Sequence, residues 1–243
     1  MNHEAVLILH GAGEWVNGTT SSWESQPGAS HLIEKLLAAG YIVAQSNSAA
    51  RNGNGMWGNG ETQKTTAEFS DWLHSRYRLR KLHAVAVSAG NLVLLNLLLS
   101  RRARFASAVM LAPCVSIASE YRCPGGVNRV KTIAEAYDFA AASGCPGDPA
   151  HDEAFLRGTA DYDPLRRLQS LRSTQVAWIF GDTRLLAIYE SRDPRVPPAE
   201  NILPFSALLQ SAHVPITITR MEADTHGSQE LFLRYTEQIV AFL

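Results

Sequence analysis

A serine between small residues, Ala86-Val87-Ser88-Ala89-Gly90, closes one apolar run and opens another. A hydroxyl at so sharp a strand-to-helix junction is exposed at the top of a sheet and can act as a nucleophile if a base takes its proton. A base stands late in the chain, in Asp224-Thr225-His226-Gly227. His226 is one of eight histidines, but it follows the last strand-like run in a loop of small residues, just before the closing helical pattern. Two carboxylates could orient its imidazole. Asp182 follows Gly181, and Asp193 opens Asp193-Pro194-Arg195-Val196-Pro197-Pro198. Taken singly, Ser88 could merely cap a helix and His226 could be a surface histidine. Together, in the order Ser, Asp, His, they are the set needed for nucleophilic acyl transfer.

Such chemistry also needs donors for a developing oxyanion. The first apolar run ends in His10-Gly11-Ala12-Gly13, whose small residues let a backbone N–H, that of Ala12, face a reacting carbonyl. The Ala89 N–H, at the start of the helix behind Ser88, is the second expected donor. The loop is not Gly-x-Gly-x-x-Gly, since Trp15 and Val16 follow Gly13, which argues against a dinucleotide site. His10 is expected to pack or hydrogen-bond beneath this loop and is not assigned the base role. No His-Glu-x-x-His or similarly spaced ligand set occurs, so no metal and no cofactor is expected.

The elements that must position these residues alternate in type. Short, almost wholly apolar runs at 5–9, 41–45, 82–87, 106–111, 176–180 and 216–219 read as parallel strands buried on both faces. Helical patterns lie between and after them, at 30–39, 61–77, 90–99, 198–211 and 228–243. The alternation predicts an α/β fold, a mostly parallel sheet of about six strands with helices on both faces, in a single domain over 1–243. The stretch 113–175 breaks the rhythm, with helical pieces near 130–142 and 152–156 and a turn-rich 143–149. It reads as a small lid. Its Tyr121, Tyr137, Phe139 and Phe155, with Met56 and Trp57, are candidates to line an apolar acyl or aryl pocket. Ligands of open parallel sheets bind beyond the carboxyl ends of the strands, where strand order reverses. The Ser, Asp and His candidates all arrive at that edge.

Composition narrows the partners. The chain has 243 residues, 46% hydrophobic and 19% charged, with a net charge of −1. That suits one globular core and gives no basic face for nucleic acid. The basic clusters at 76–81 and 101–104 fall at predicted helix ends, where they answer helix dipoles. The longest apolar run, 92–99, is interrupted by Asn96 and far short of a membrane span. Cys114, Cys123 and Cys145 form no disulfide framework, and the start of the chain lacks the pattern of a secretory signal, so a cytoplasmic location is expected. A small-molecule ester is the expected partner, with no nucleic acid and no membrane, and a homodimer is the assembly left open.

In sum of motifs, the chain resembles the α/β-hydrolase superfamily, in the manner of small bacterial serine esterases. That superfamily carries an HGxG-type loop, a Gly-x-Ser-x-Gly elbow, an acid in Gly-x-x-Asp-x-x-Val-Pro and a late His, in this order. The resemblance spans nearly the whole chain and implies Ser88 as nucleophile, His226 as general base, Asp193 as the orienting acid, and Ala12 and Ala89 as oxyanion donors. It implies a serine hydrolase of esters, with amides or thioesters less favoured, and a minimal version of the fold that begins at the family's third strand. The Trp57-Gly58-Asn59 segment and the run from Val196 to Asn201 also look like those of small bacterial hydrolases. Two departures stand out. Ala86 replaces the elbow's first glycine, and Arg184 stands three residues after Gly181 where an acid is expected. The segment 183–192 therefore looks inserted within the acid motif. Acyl transfer to an alcohol or amine would use the same groups. The inserted segment is the feature that favours the other alternative, a ligand-binding scaffold without turnover.

Overall fold

The computed structural model describes residues 3–12, 16, 23–47, 57–122, 127–137 and 149–243. Its centre is a six-stranded, wholly parallel sheet in the order β2-β1-β3-β4-β5-β6. The strands are β1 (Glu4–Leu9), β2 (Ile42–Gln45), β3 (Lys81–Val87), β4 (Ser107–Leu111), β5 (Arg184–Glu190) and β6 (Ile216–Met221). Every strand of the inner four is buried along almost its whole length, as a sheet covered on both faces requires.

Alternation along the strands divides the core into two layers. Val6, Ile8, Val85, Val87, Val109, Leu111, Leu186 and Ile188 face helices α1 (Pro27–Ala38) and α10 (Gln229–Phe242), through Leu32, Leu36, Phe232 and Ile239. Ala5, Leu7, Leu9, Ala84, Ala86, Ala108, Met110, Leu185 and Ala187 face the other way, toward α2 (Gly60–Tyr77) and α3 (Gly90–Ser100). On that side α3 lies beneath other helices and is apolar nearly all round, as a fully enclosed helix should be. Asn96 interrupts its leucines yet is buried. Its amide donates to the Tyr162 carbonyl at 2.7 Å and its oxygen accepts from Arg167 at 2.8 Å.

Between β4 and β5 run α4 (Ile117–Arg122), α5 (Val127–Ala136), α6 (Pro149–Gly158), α7 (Pro164–Gln169) and α8 (Ser173–Phe180). Leu165, Leu168, Val176 and Phe180 of α7 and α8 join the core layer that covers α3 and α9 (Ile202–Ser211). Met56 and Phe139, named as pocket candidates, lie outside the described residues.

One strand expectation fails here. Residues 176–180 are the end of α8, and β5 lies further on at Arg184–Glu190. Val176 and Phe180 are buried at helical spacing, whereas Trp178 between them is 63% exposed. A five-residue apolar run before a glycine has no period of its own, so strand and helix could not be told apart there. The segment 183–192 is thus no insertion: it is the fifth strand and the turn after it. Asp182 precedes that strand. It sits at the opposite edge of the sheet from Asp193, about one strand length or roughly 20 Å away.

Candidate active site

The order β2-β1-β3 reverses direction between β1 and β3, and the carboxyl ends of such a pair are where open parallel sheets bind their ligands. β1 delivers His10, Gly11 and Ala12 there, and β3 delivers Ser88. Ser88 takes φ +49°, in the left-handed region that costs a residue with a side chain about 1–3 kcal/mol. Its surroundings hold it there. The Ser88 N–H continues the β3–β4 ladder to the Leu111 carbonyl at 2.9 Å, and its carbonyl accepts from the Asn91 N–H and Asn91 Nδ2, each at 3.0 Å. Asn91 is fully buried and also donates to the Leu111 carbonyl at 3.3 Å. It clamps the turn from inside α3.

The small residues around Ser88 have a measurable cause. A Cβ on Gly90 would stand 2.1 Å from the Leu9 carbonyl oxygen, so α3 can approach the end of β1 only if this residue is glycine. Ala86 occupies the elbow's other small position and is fully buried within β3. Ala89 leads into α3, and the positive end of that helix lies behind the serine. Ala12 lies in the turn after β1, beside residues 13–15, which fall outside the described residues.

The base and the acid come from the neighbouring strands. His226 lies on the loop between β6 and α10, and Gly227 after it takes φ +55°. Asp193 lies three residues beyond β5, in the Asp-x-x-Val-Pro segment. The structure brings all three side chains together. His226 Nε2 is 2.7 Å from Ser88 Oγ, and His226 Nδ1 is 2.6 Å from Asp193 Oδ2. With the Nδ1 proton donated to the carboxylate, Nε2 is left to accept from the serine hydroxyl. The other carboxylate oxygen of Asp193 accepts from the Arg195 and Val196 N–H groups at 2.8 and 2.9 Å. Those bonds fix its rotamer and satisfy a charge that is almost wholly buried. Ser88 is 9% exposed and the His226 side chain 10%, so both are nearly buried but not sealed off.

His10 is buried beside this site, and its Nδ1 lies 3.1 Å from the Gly11 carbonyl. Burial holds its pKa below the ordinary value. Trp57, Tyr121 and Phe155 are almost fully buried, and with Ala89, Leu92, Cys114 and Val196 they form a third apolar cluster, against which Ala12 packs. Tyr121 and Phe155 stack with centroids 4.0 Å apart. Tyr137 donates its hydroxyl to the Trp57 carbonyl at 2.6 Å, and Asn59 donates to the Ala136 carbonyl at 2.7 Å. Trp57, Tyr121 and Phe155, expected to line a pocket, are thus buried core residues of this cluster. Among the described residues no group of three or more His, Cys, Asp or Glu side chains could hold a metal ion, and no helix is long and apolar enough to cross a membrane.

Two residues of this arrangement have no signal in the motifs. Asn91 is one more polar residue in an apolar run. Glu190, the last residue of β5, accepts from the Gly227 N–H beside His226 at 2.7 Å, and nothing in the sequence marks it because 176–180 reads as the strand there.

Neither a protein-family model nor a curated protein sequence matches this chain. Solved structures do resemble it. A ferulic acid esterase superposes with a TM-score of 0.62 at 14% identity, over 98% of this chain and 83% of the esterase. The fluorophosphonate-binding serine hydrolase FphF of Staphylococcus aureus gives 0.62 at 16% identity, over 98% of this chain and 82% of that one. A puromycin-hydrolyzing peptidase of Mycobacterium tuberculosis gives 0.64 at 18% identity, over 98% of this chain, which spans 34% of the peptidase. Esterases and peptidases thus share one architecture with this protein, at identities that speak for the fold alone. The chain has the α/β-hydrolase fold.

Proposed function

We propose that the protein is a serine hydrolase that cleaves a small-molecule ester through an acyl-enzyme. The observation that carries this reading is the hydrogen-bonded series Ser88–His226–Asp193, with links of 2.7 and 2.6 Å, at the point where strand order reverses. His226 takes the Ser88 proton as Oγ attacks the ester carbonyl. Asp193 holds the imidazole in the required tautomer and stabilises the imidazolium that forms. The Ala12 and Ala89 N–H groups receive the oxyanion, helped by the positive end of α3. His226 then gives its proton to the leaving alcohol. Water, activated by the same imidazole, attacks the acyl-serine and releases the acid.

The feature that favoured a ligand-binding scaffold without turnover was an insertion inside the acid motif. With that segment folded as β5, the reading loses its support. Acyl transfer differs only in which nucleophile clears the acyl group, and product analysis separates the two.

A fluorophosphonate probe tests the proposal. It should add one equivalent to Ser88, located by mass spectrometry of the labelled peptide, and none to Ser88→Ala. With p-nitrophenyl acetate in the presence of an alcohol, a hydrolase yields acetate. An alkyl acetate as the main product would make the protein a transferase, and an unlabelled, inactive wild type would end the serine-enzyme reading.

A further inference from the structure

We infer that Glu190 is a positioning residue for His226, a carboxylate that clamps both sides of the histidine's loop. The inference rests on the proposed role of His226. Glu190 is the last residue of β5 and is fully buried. A charged side chain is rarely enclosed so completely unless several donors compensate it. Here three do. Oε1 accepts from the Thr225 hydroxyl at 2.8 Å and the Ser228 N–H at 3.0 Å, and Oε2 accepts from the Gly227 N–H at 2.7 Å. These partners flank His226 on both sides in sequence. The Glu190 carbonyl accepts the Asp193 N–H at 3.3 Å, so the same residue also holds the turn that carries the acid.

Glu190 thus joins the residues on either side of His226 to the turn that carries Asp193. Ser191 and Arg192 also tie the acid turn to the start of that loop, through the Met221 and Ala223 carbonyls at 2.8 and 2.9 Å and from Ser191 Oγ to Glu222 at 2.9 Å, but these bonds end at Ala223, whereas those of Glu190 hold the immediate neighbours of His226. Glu190 stands three residues before Asp193, where the resembled Gly-x-x-Asp-x-x-Val-Pro motif has its glycine. A glycine could offer no side chain to that loop. The clamp therefore belongs to this chain's own sequence. It makes the loop's left-handed Gly227 and the imidazole direction depend on one buried carboxylate.

Glu190→Gln tests the clamp, because it keeps shape and removes one bond selectively. The glutamine oxygen can still accept from Thr225 and Ser228, while its NH₂ group meets the Gly227 N–H donor to donor. Two readouts follow His226 directly. The first is the far-downfield proton resonance of its Nδ1–H, which reports the bond to Asp193 without any turnover. The second is the split between kcat and KM with p-nitrophenyl acetate. In a folded Glu190→Gln variant the resonance should broaden or vanish, and kcat should fall about 10²-fold with KM little changed, as misplacement of a catalytic group does. Glu190→Asp, which keeps the charge, should recover part of both. An unchanged resonance and kcat in folded Glu190→Gln overturns the clamp. If that variant does not fold, Glu190→Asp decides by the same two readouts against wild type. A wild type that neither cleaves the ester nor takes a fluorophosphonate would defeat the hydrolase reading instead, and the resonance would still report on Glu190.

Discussion

The two edges of this sheet carry nearly the same residues and hold them in different settings. At the carboxyl edge, Ser88, His226 and Asp193 join through links of 2.7 and 2.6 Å. At the amino edge, Ser107, His83 and Glu4 also form a serine–histidine–acid series. Ser107 Oγ lies 2.7 Å from His83 Nδ1, and His83 Nε2 lies 3.4 Å from Glu4 Oε2. The differences are in setting. His83 and Ser107 are registered partners on β3 and β4, in ordinary extended backbone, and both are wholly buried. Ser88 stands on a strained turn at the switch point, before a helix N-terminus, and keeps 9% of its surface exposed. Glu4 is shared with Lys81 and Arg80, so its charge is already answered by surface cations. A serine, a histidine and an acid within hydrogen-bond reach are therefore common structural currency. What sets the carboxyl edge apart is the left-handed turn at Ser88 with the helix N-terminus behind it, the kind of setting in which charge developing on a reacting group can be stabilised.

The comparison breaks most sharply under paired serine substitutions. Ser88→Ala should lower kcat for a short activated ester by about 10⁶-fold, whereas Ser107→Ala should leave it within about twofold. Steady-state turnover measured on both variants checks this, and a large loss in Ser107→Ala would erase the distinction between the edges. Acid substitutions come next. Asp193→Asn should cost about 10⁴-fold in kcat, because the imidazole loses its orienting carboxylate. Asp182→Asn should change kcat little, since it lies at the amino edge before β5. The reverse ranking in folded variants would remove Asp193 from the site.

Close packing at the elbow gives a third, smaller separation. Gly90→Ala forces a methyl against the Leu9 carbonyl, so urea unfolding should show a loss of about 2 kcal/mol or more. A neutral outcome would mean that the elbow relaxes freely and needs no glycine.

The smallest effect belongs to the amino edge alone. Burial, partly countered by the hydrogen bond to Glu4, holds the His83 pKa below its ordinary value of about 6.5. Below that pH the unfolded chain binds a proton that the folded chain resists. The contribution is complete above about pH 6.5 and is lost as pH falls toward and through the folded value. Tyr41, Lys81 and Arg184 also face this ring, and none supplies a negative charge that would reverse the sign. Thermal unfolding of wild type should therefore decline from pH 7.5 to 5, and His83→Gln should decline less. Parallel curves for the two proteins would show that His83 titrates as it does when unfolded.

Five of the six strands were legible in the sequence to within a residue or two, because strands buried on both faces must be short, continuous and apolar. The serine elbow, the histidine loop and the Asp-x-x-Val-Pro segment were legible for a related reason, since tight turns and held side chains demand glycine, alanine and proline at fixed offsets. The error at 176–180 came from the same rule. A short apolar run satisfies a buried strand and a helix face equally, and only packing against α3 and α9 decided between them. That one choice determined whether Asp182 or Asp193 lay at the carboxyl edge.

What sequence alone determined is the inventory: an alternating α/β chain, a serine on a sharp turn, a late histidine and two possible acids. Tertiary structure decided which acid meets the histidine, why Gly90 can be nothing larger, and that Glu190 reaches across to the loop holding His226. The reason is physical. Local propensity and turn chemistry act over a few residues, whereas Ser88, Glu190, Asp193 and His226 come from strands β3, β5 and the loops after β5 and β6. Their distances exist only once the parallel register is set.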